Sequence, residues 1–471
     1  VAALFVLLWG ATGEAAAQED YIWVEAENPN STNIDDYWTG SDRAHLLSGD
    51  KFLAQRFQGE AVKNVPEGGY RLQYEIQVPL AGKYDAWARV GMEGIRAPFE
   101  WRVGDGEWKL EPASKWTTNV MQLARYNEIA WLDLGEVQLD RGATTLSIRY
   151  TGPQEKRNDM FIVLDCFAFV PAERGWNPEG DLKPGETYDS KQDIAAANKV
   201  YELPDPAEAG VRRSVKLTGL WQVARWDDPD MDENAWEPET ELPDLDPLYW
   251  RGIDVPKSQW EVDGLNLAHR TVYRARVNVP EGYDGRGFKL HFSGTNWLVG
   301  VFVNGELAGT HKGVFIPWDI DISNQIKPGQ VNEIVLAIKG PWYAIDIEHY
   351  KGPPLMAQRN RPLDNVRGVH WVAPIYPSTK GDGDGRQYGI VNPVTFVATG
   401  NAYTEDVFVQ PRGQTSRPES STLTVDVTLR NTHDTARTFQ LKCDAIFEGT
   451  GDVERELGPV EVTVPATSTV T

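Results

Sequence analysis

The stretch VGVFVNGELAGTHKGVFIPWDIDISNQIKPGQVNEIVLAIK, residues 299–339, predicts a ladder of short β-strands. Valine recurs at every second position from Val299 to Val303, which is the period of a strand. Asn304-Gly305 then supplies a dipeptide that tolerates positive φ at both turn positions, so we expect a hairpin into a second strand at 306–310. A Lys-Pro-Gly turn at 327–329 precedes the last alternating strand, 333–339.

Similar pieces occur upstream of this ladder. They are a strand rich in Tyr and Arg (RTVYRARVNVP, 270–280), LTGLW at 217–221, an acidic stretch WDD at 226–228, Trp236, IDVP at 253–256 and Trp260. In this order, residues 211–400 resemble the N-terminal sugar-binding jelly roll of glycoside hydrolase family 2, the β-galactosidase, β-mannosidase and β-glucuronidase group. The alternative is a generic β-sandwich with tryptophans in its core, which would not need this order of turns.

Length and composition exclude several classes of protein. The 471 residues suffice for roughly three domains of ~150 residues. With 43 Gly, 30 Pro and 18 Trp and no long helical repeat, the chain favours β-structure. A net charge of −23 argues against nucleic acid and anionic membrane surfaces as partners, because both require a basic face. Neutral polysaccharides or oligosaccharides, which stack on aromatic rings and hydrogen-bond to carboxylates, suit it better.

The first seventeen residues resemble the end of a secretory signal peptide. An apolar run at 2–10 precedes the small residues Ala15 to Ala17, and the run is too short to span a membrane. A positively charged start and an initiator Met are missing, so we expect that the sequence begins inside a longer one. We therefore expect a secreted or periplasmic protein without a membrane-spanning segment. The two cysteines, Cys166 and Cys443, fall in different predicted domains, so we expect no intrachain disulfide.

The chain divides into an all-β series of tandem β-sandwiches. Alternating strands at 22–28, 69–78, 82–90, 139–148 and 161–170 make residues 18–172 similar to the carbohydrate-binding modules of families 6 and 35. A stretch rich in Pro, Gly, Asp and Glu, 173–210, predicts a linker with one helical turn at 194–199. The jelly roll at 211–400 follows. Residues 401–471 resemble an immunoglobulin-like β-sandwich that ends close to where its last strands would be complete.

Catalysis in family 2 implies two glutamates in a TIM barrel that follows the immunoglobulin-like domain. Asn-Glu pairs occur at Asn127-Glu128 and Asn332-Glu333, but each enters a strand of an accessory domain. No alternation of strands and helices predicts a barrel. We therefore expect the accessory portion of a secreted glycosidase, cut off before its catalytic domain. A non-catalytic, secreted polysaccharide-binding protein is the alternative.

The resemblance to families 6 and 35 implies a structural calcium ion. Glu25 and Glu27 match the carboxylates of the opening strand, and Asp165 matches that of the final strand. Glutamates two apart on a strand share one face, and calcium prefers oxygen ligands of this kind. The alternative is a pair of surface carboxylates on an edge strand. A second acidic stretch, GDGDG at 381–385, lacks the spacing of an EF-hand and predicts a solvated loop.

Modules of these families stack a sugar on loop aromatics and hold it with an amide. The candidates here are Trp38, Trp116, Tyr126 and Asn158. Val163 stands where many members carry the amide, two residues before Asp165, so Asn158 is its substitute in this hypothesis. Packing in the core is the alternative for each tryptophan. In the jelly roll the candidates are Asn296 and Trp297 in a turn, and His311, Lys312 and Trp318 beside the following loops, with the aromatic insert 341–386 as a further hypothesis.

Overall fold

A computed structural model describes residues 20–91, 96–113, 115–124, 127–153, 159–180, 183–184, 186, 190–206, 212–226, 237–259, 262–265, 268, 270–314, 316–339, 389–414, 417–446 and 449–471. These residues form two compact units, 20–186 (unit 1) and 190–471 (unit 2). Both are built almost wholly of strands, so the predicted all-β class is confirmed. Within the described ranges we find no helix long and apolar enough to cross a bilayer.

Unit 1 is built from two antiparallel sheets. Its described strands are β1 (Ile22–Glu25), β2 (Ser31–Thr32), β3 (Leu53–Gln58), β4 (Tyr70–Val78), β5 (Gly82–Val90), β6 (Phe99–Val103), β7 (Lys109–Glu111), β8 (Thr118–Ala124), β9 (Asn127–Leu139), β10 (Gly142–Tyr150) and β11 (Asp159–Pro171), with the short helix α1 (Glu60–Lys63). One sheet has the order β1-β11-β5-β9-β8, with β3 also on β11; the other has the order β2-β4-β10-β6-β7.

Strict alternation in the sequence produces the core between these sheets. In β4 every second side chain, from Tyr70 to Val78, is buried, and the intervening ones are exposed. β10 pairs with β4 from Gly142 opposite Val78 to Tyr150 opposite Tyr70, which brings its own apolar side chains to the same face. The predicted strands at 69–78, 82–90 and 161–170 are therefore present, each within two residues of its expected bounds.

The first part of the predicted linker packs across the outer face of the sheet that contains β1. The ring of Trp176 meets those of Trp23, Trp87 and Trp131 edge to face, with centroids 6.2, 6.3 and 5.3 Å away. The buried Asn119 donates hydrogen bonds from Nδ2 to the carbonyls of residues 178 and 179, at 3.1 and 2.8 Å. Residues 172–179 are thus part of the packed unit, because these rings bury apolar surface against the sheet.

Unit 2 contains the helix α2 (Lys191–Asn198) and the remaining strands. These are β12 (Tyr201–Glu202), β13 (Arg213–Lys216), β14 (Gly219–Arg225), β15 (Arg251–Val255), β16 (Arg270–Val279), β17 (Phe288–Phe292), β18 (Thr295–Val303), β19 (Glu306–Val314), β20 (Trp318–Asp321), β21 (Gln330–Lys339), β22 (Gly389–Ile390), β23 (Val394–Ala398), β24 (Ala402–Gln414), β25 (Arg417–Asn431), β26 (Arg437–Ile446), β27 (Val453–Val464) and β28 (Ser468–Val470). The larger sheet has the order β15-β14-β16-β21-β18-β19, and the sheet facing it has the order β13-β23-β17-β20.

The Asn-Gly hairpin forms as its sequence predicts. Val303 pairs with Glu306, and Asn304 and Gly305 have φ of +52° and +85°. The amide of Asn304 also reaches across the turn and donates to the side chain of Asn332 at 2.8 Å. This contact ties the hairpin to the start of β21, so the two turns support each other.

β18 is buried on both faces, which simple alternation does not predict. Phe302 lies with Val335 on the side away from the main core, and an apolar cluster covers both. The covering side chains come from Trp226 and the described loop that follows it: Leu242, Leu245, Leu248 and Trp250. The helix α2 lies at the other edge of the sheet, on β15, and the Ser190 hydroxyl caps its N-terminus. Asp193 of α2 accepts a hydrogen bond of 2.6 Å from the backbone N–H of Gly252 in β15.

The last strands form two smaller sheets, β24-β25-β28 and β26-β27. Leu429 and Val464 are buried there, whereas Val407, Phe408 and Val409 are about half exposed. Asn431 joins the two sheets, because its Nδ2 donates to the carbonyl of Val464 at 3.2 Å. The immunoglobulin-like identity of 401–471 stays a prediction.

Candidate functional site

Trp38 lies at the end of unit 1 where β11 begins. Its backbone exchanges two hydrogen bonds with Ala54, each of 3.0 Å, so the position of the loop is set by β3. The indole is 43% exposed, and its ring centroid lies 6.1 Å from that of Phe161. An aromatic face held over a second ring and open to water can stack a sugar ring.

Of the other three predicted sugar-binding residues of this unit, the structure describes Trp116. Trp116 is half-buried in the loop before β8, where Arg96 donates to the carbonyl of Lys115 and Lys115 forms a 2.8 Å ion pair with Glu111. Tyr126 and Asn158 lie outside the described residues. Of the two candidates that the structure describes, Trp38 is the more exposed.

The predicted metal ligand Asp165 has a cation of its own. Arg89 Nη1 lies 3.0 Å from Asp165 Oδ2, and both side chains are almost completely buried. The backbone N–H of Ser48 donates to the same carboxylate at 3.0 Å, and Arg89 also donates to the carbonyl of Leu46 at 2.8 Å. Burial raises the pKa of Asp165 to about 7, against the opposing effect of the Arg89 charge. Hydrogen-bond donors occupy the positions that a calcium ion would need on this carboxylate.

Glu25 and Glu27 are nearer to what a cation site requires. Glu25 Oε1 accepts the Ser48 hydroxyl at 2.8 Å and lies 4.0 Å from Lys183 Nζ. The Oε2 atoms of both glutamates are buried and have no hydrogen-bond partner. Burial, and then the negative charge of Glu25, raise the pKa of Glu27. A cation bound to both would relieve this repulsion.

The three carboxylates do not converge as one metal site. Among the described residues, no group of three or more His, Cys, Asp or Glu side chains is arranged to hold a metal ion. Because Asp165 is paired with Arg89, the calcium hypothesis now rests on Glu25 and Glu27. Calcium binding stays a prediction.

We expect excess calcium to raise the melting temperature of the purified chain relative to chelator. At one hundred times Kd the stabilisation would be about 2.7 kcal/mol, or roughly 5–10 °C for a unit of this size. Glu27→Gln should abolish the response, and Asp165→Asn should preserve it. Identical melting curves with calcium and chelator, together with metal-free purified protein, would contradict the prediction.

The jelly-roll candidates lie inside the larger sheet. Asn296 is 3% exposed and sits in β18 between Val314 of β19 and Gly389 of β22. Trp297 is its neighbour in the same strand, but its side chain is outside the described set, as is the insert 341–386. The burial of Asn296 is that of a core position.

Two of the jelly-roll candidates, His311 and Trp318, belong to a stack of three rings on this unit, whose third member, Phe292, the sequence does not single out. The ring of Trp318 lies between His311 and Phe292, with centroid distances of 4.2 and 4.1 Å and nearly parallel planes. Its indole N–H donates to Thr295 Oγ1 at 3.0 Å. Burial lowers the pKa of His311, which favours the neutral imidazole. The three rings come from β17, β19 and the start of β20, so the spacing of these residues in the sequence does not predict the stack.

Both Asn-Glu pairs have structural roles. Asn332 is fully buried, and its amide donates at 3.0 Å to each of the carbonyls of Lys327 and Gln330 across the turn. Glu128 is 2% exposed within β9.

Comparison with known proteins finds a family match in unit 2. Residues 256–370 match the family described as "Glycosyl hydrolase 2 galactose-binding domain-like". A beta-galactosidase of Thermoanaerobacter pseudethanolicus is 32% identical over 98 residues, which are 18% of this chain and 13% of that protein. A putative beta-glucuronidase of Formosa agariphila is 31% identical over 99 residues, or 20% of this chain and 12% of that protein.

The solved structures found by comparison include the beta-glucuronidase of Bacteroides uniformis. It superposes with a TM-score of 0.37 at 14% identity, over 55% of this chain and 27% of that one. A TM-score of this size carries no inference about function. The resemblance to the family 2 sugar-binding jelly roll is thus confirmed by the match to residues 256–370. The resemblance of 18–172 to the carbohydrate-binding modules of families 6 and 35 stays a prediction.

Proposed function

We propose, with the family match of residues 256–370 as the premise, that this chain is the carbohydrate-binding accessory portion of a secreted family 2 glycoside hydrolase. The jelly roll and the strands after it would support the catalytic barrel of the whole enzyme. Unit 1 would add a carbohydrate-binding module that holds the enzyme on its polysaccharide. A β-galactosidase-like activity of the whole enzyme is the hypothesis that the relatives favour.

The exposed indole of Trp38 is the observation that supports sugar binding by unit 1. A pyranose presents apolar C–H groups on one face, which pack on an aromatic ring, while its hydroxyls remain hydrated. The ring of Phe161 lies beside the indole of Trp38, and two hydrogen bonds to Ala54 fix the backbone of Trp38, so little conformational entropy is lost when a sugar stacks on it.

We expect the purified chain to be retarded in affinity gels that contain galactan, galactomannan or xylan. Trp38→Ala should weaken the retardation on at least one of them about tenfold, a loss of ~1.4 kcal/mol that is typical of one aromatic contact. Tyr126→Ala tests the second loop aromatic in the same way. Leu80→Ala, which truncates a 56% exposed leucine in the turn between β4 and β5, is the matched control.

Equal retardation of the wild type and both aromatic variants would place the sugar elsewhere. If the chain is retarded but the complete gene encodes no barrel, the alternative of a non-catalytic binding protein is favoured instead.

A further inference from the structure

An open cleft of about 620 Å³ lies in unit 1, between the turn that joins β6 to β7 and the turn that joins β9 to β10. β5 and β9 define the direction of the unit, since Gly82 pairs with Leu139 at one end and Val90 with Ala130 at the other. The cleft lies at the Leu139 end. Trp38 and the start of β11 lie at the opposite end, so the cleft is separate from the loop site described above.

Glycine shapes the first of these turns. Gly104 has a φ of +57°, which a side chain would strain, and its N–H donates to the carbonyl of Thr145 at 2.8 Å. A Cβ on Gly104 would meet Thr144 Oγ1 at 3.1 Å. The turn is therefore pressed against β10, and the chain that leaves it carries Trp108 into the wall of the cleft.

Two guanidinium groups hold Trp108 in place. Arg149 Cζ lies 4.1 Å and Arg102 Cζ 4.6 Å from the centre of its ring. Arg149 is itself fixed by two hydrogen bonds to Glu100, of 2.7 and 2.9 Å. The indole is thus oriented before any ligand arrives, which reduces the entropy cost of binding.

The charges that line the cleft nearly cancel. Arg102, Lys109 and Arg141 face Asp105, Glu107 and Asp140, and Glu136 is already paired with Lys83 at 2.7 Å. A ligand with a large net charge would meet repulsion from one set or the other. Hydroxyl groups, which both donate and accept hydrogen bonds, suit a wall that mixes donors and acceptors beside an aromatic ring.

We propose that this cleft is a second carbohydrate subsite of unit 1, which takes a neutral sugar residue stacked on Trp108. The proposal rests on the proposed function for the class of ligand, but it uses none of the loop residues that carry that function. A chain with a subsite at each end would bind one glycan at two places or two glycan chains at once, which raises its apparent affinity for an insoluble polysaccharide.

Fluorine NMR of the complete chain, labelled with 5-fluorotryptophan, tests the cleft directly. Trp108→Phe and Trp38→Phe assign the two resonances. Galacto-, manno- and xylo-oligosaccharides serve as neutral probes, and an oligogalacturonate serves as the anionic one. We expect the Trp108 resonance to shift and saturate with at least one neutral probe and to stay in place with the anionic probe.

Trp108→Ala should weaken binding of the active probe at the cleft about tenfold, as measured by isothermal titration in a Trp38→Ala background. Leu110→Ala, which truncates a 63% exposed leucine on β7 outside the cleft, should leave that affinity unchanged. An equal loss in both variants would overturn the proposal.

A Trp108 resonance that does not shift with any neutral probe would also overturn the proposal. If Trp38→Ala still abolished gel retardation in that case, the proposed function would stand and only the cleft would be rejected. If the wild type were neither retarded nor shifted, both would be rejected. If the Trp108 resonance shifted and neither Trp38→Ala nor Tyr126→Ala changed the gel retardation, the cleft would be supported and the loop site rejected.

Discussion

Replacing Arg89 by methionine should lower the free energy of unfolding of unit 1 by about 3–5 kcal/mol, because it leaves a buried carboxylate without its cation. Asp165 is fully buried, and Arg89 Nη1 lies 3.0 Å from it. Methionine keeps much of the length of the side chain, so the loss reports charge more than volume. Native-state hydrogen exchange of peptides from β5 and β11 measures the effect, with peptides from β16 and β21 of unit 2 as the internal reference.

The double variant Arg89→Met with Asp165→Asn is the matched control. The asparagine is uncharged and its oxygen can still accept the Ser48 N–H, so the double variant should regain at least half of the lost stability. A loss below ~1 kcal/mol in the single variant would contradict the view that Arg89 compensates Asp165. So would a double variant that is no more stable than the single one.

The purified chain should show no turnover of nitrophenyl β-galactoside, β-mannoside or β-glucuronide. Cleavage of a glycosidic bond needs two carboxyl groups roughly 5 to 10 Å apart across the bond, one protonated and one ionised. Glu128 is buried in unit 1, whereas Glu333 lies in unit 2, half exposed and 3.9 Å from Arg274. We therefore expect a rate no greater than that of the uncatalysed reaction.

A gene product extended beyond residue 471 into a barrel should hydrolyse at least one of these substrates with retention of configuration. The contrast would be at least about a millionfold, the lower end of enzymatic rate enhancements. Glu128→Gln and Glu333→Gln in the extended product should leave the turnover number nearly unchanged. Turnover by residues 18–471 that either substitution abolishes would refute the accessory role.

Elements whose signal is local can be predicted from the sequence. The alternation of β4 and β5 and the Asn304-Gly305 turn predict two-residue periods and positive φ, and the structure has both. The helical turn expected at 194–199 is α2, which begins a few residues earlier because Ser190 caps it. Signals of this kind depend only on neighbours within a few residues, so they can be read without the fold.

The sequence does not show which side chains contact the predicted calcium ligands, because these side chains are distant in the sequence. The sequence predicts Asp165 as a calcium ligand, whereas in the structure Arg89, 76 residues away, pairs with this carboxylate. β1 ends at Glu25, so Glu27 lies in the turn that follows rather than on the same strand, and only the fold shows that one oxygen of each glutamate is buried without a hydrogen-bond partner.

The tertiary structure alone decided which surfaces are covered and which are open. Trp176 lies in a stretch whose composition is that of a linker, but its ring packs among three others on the sheet. Phe302 is covered by a loop that carries no strand signal, and Trp108 is aimed into a cleft by two arginines on other strands. The physical reason is the same in each case: burial and ring contacts depend on the docking of segments distant in sequence, and local periodicity contains no record of which segments dock.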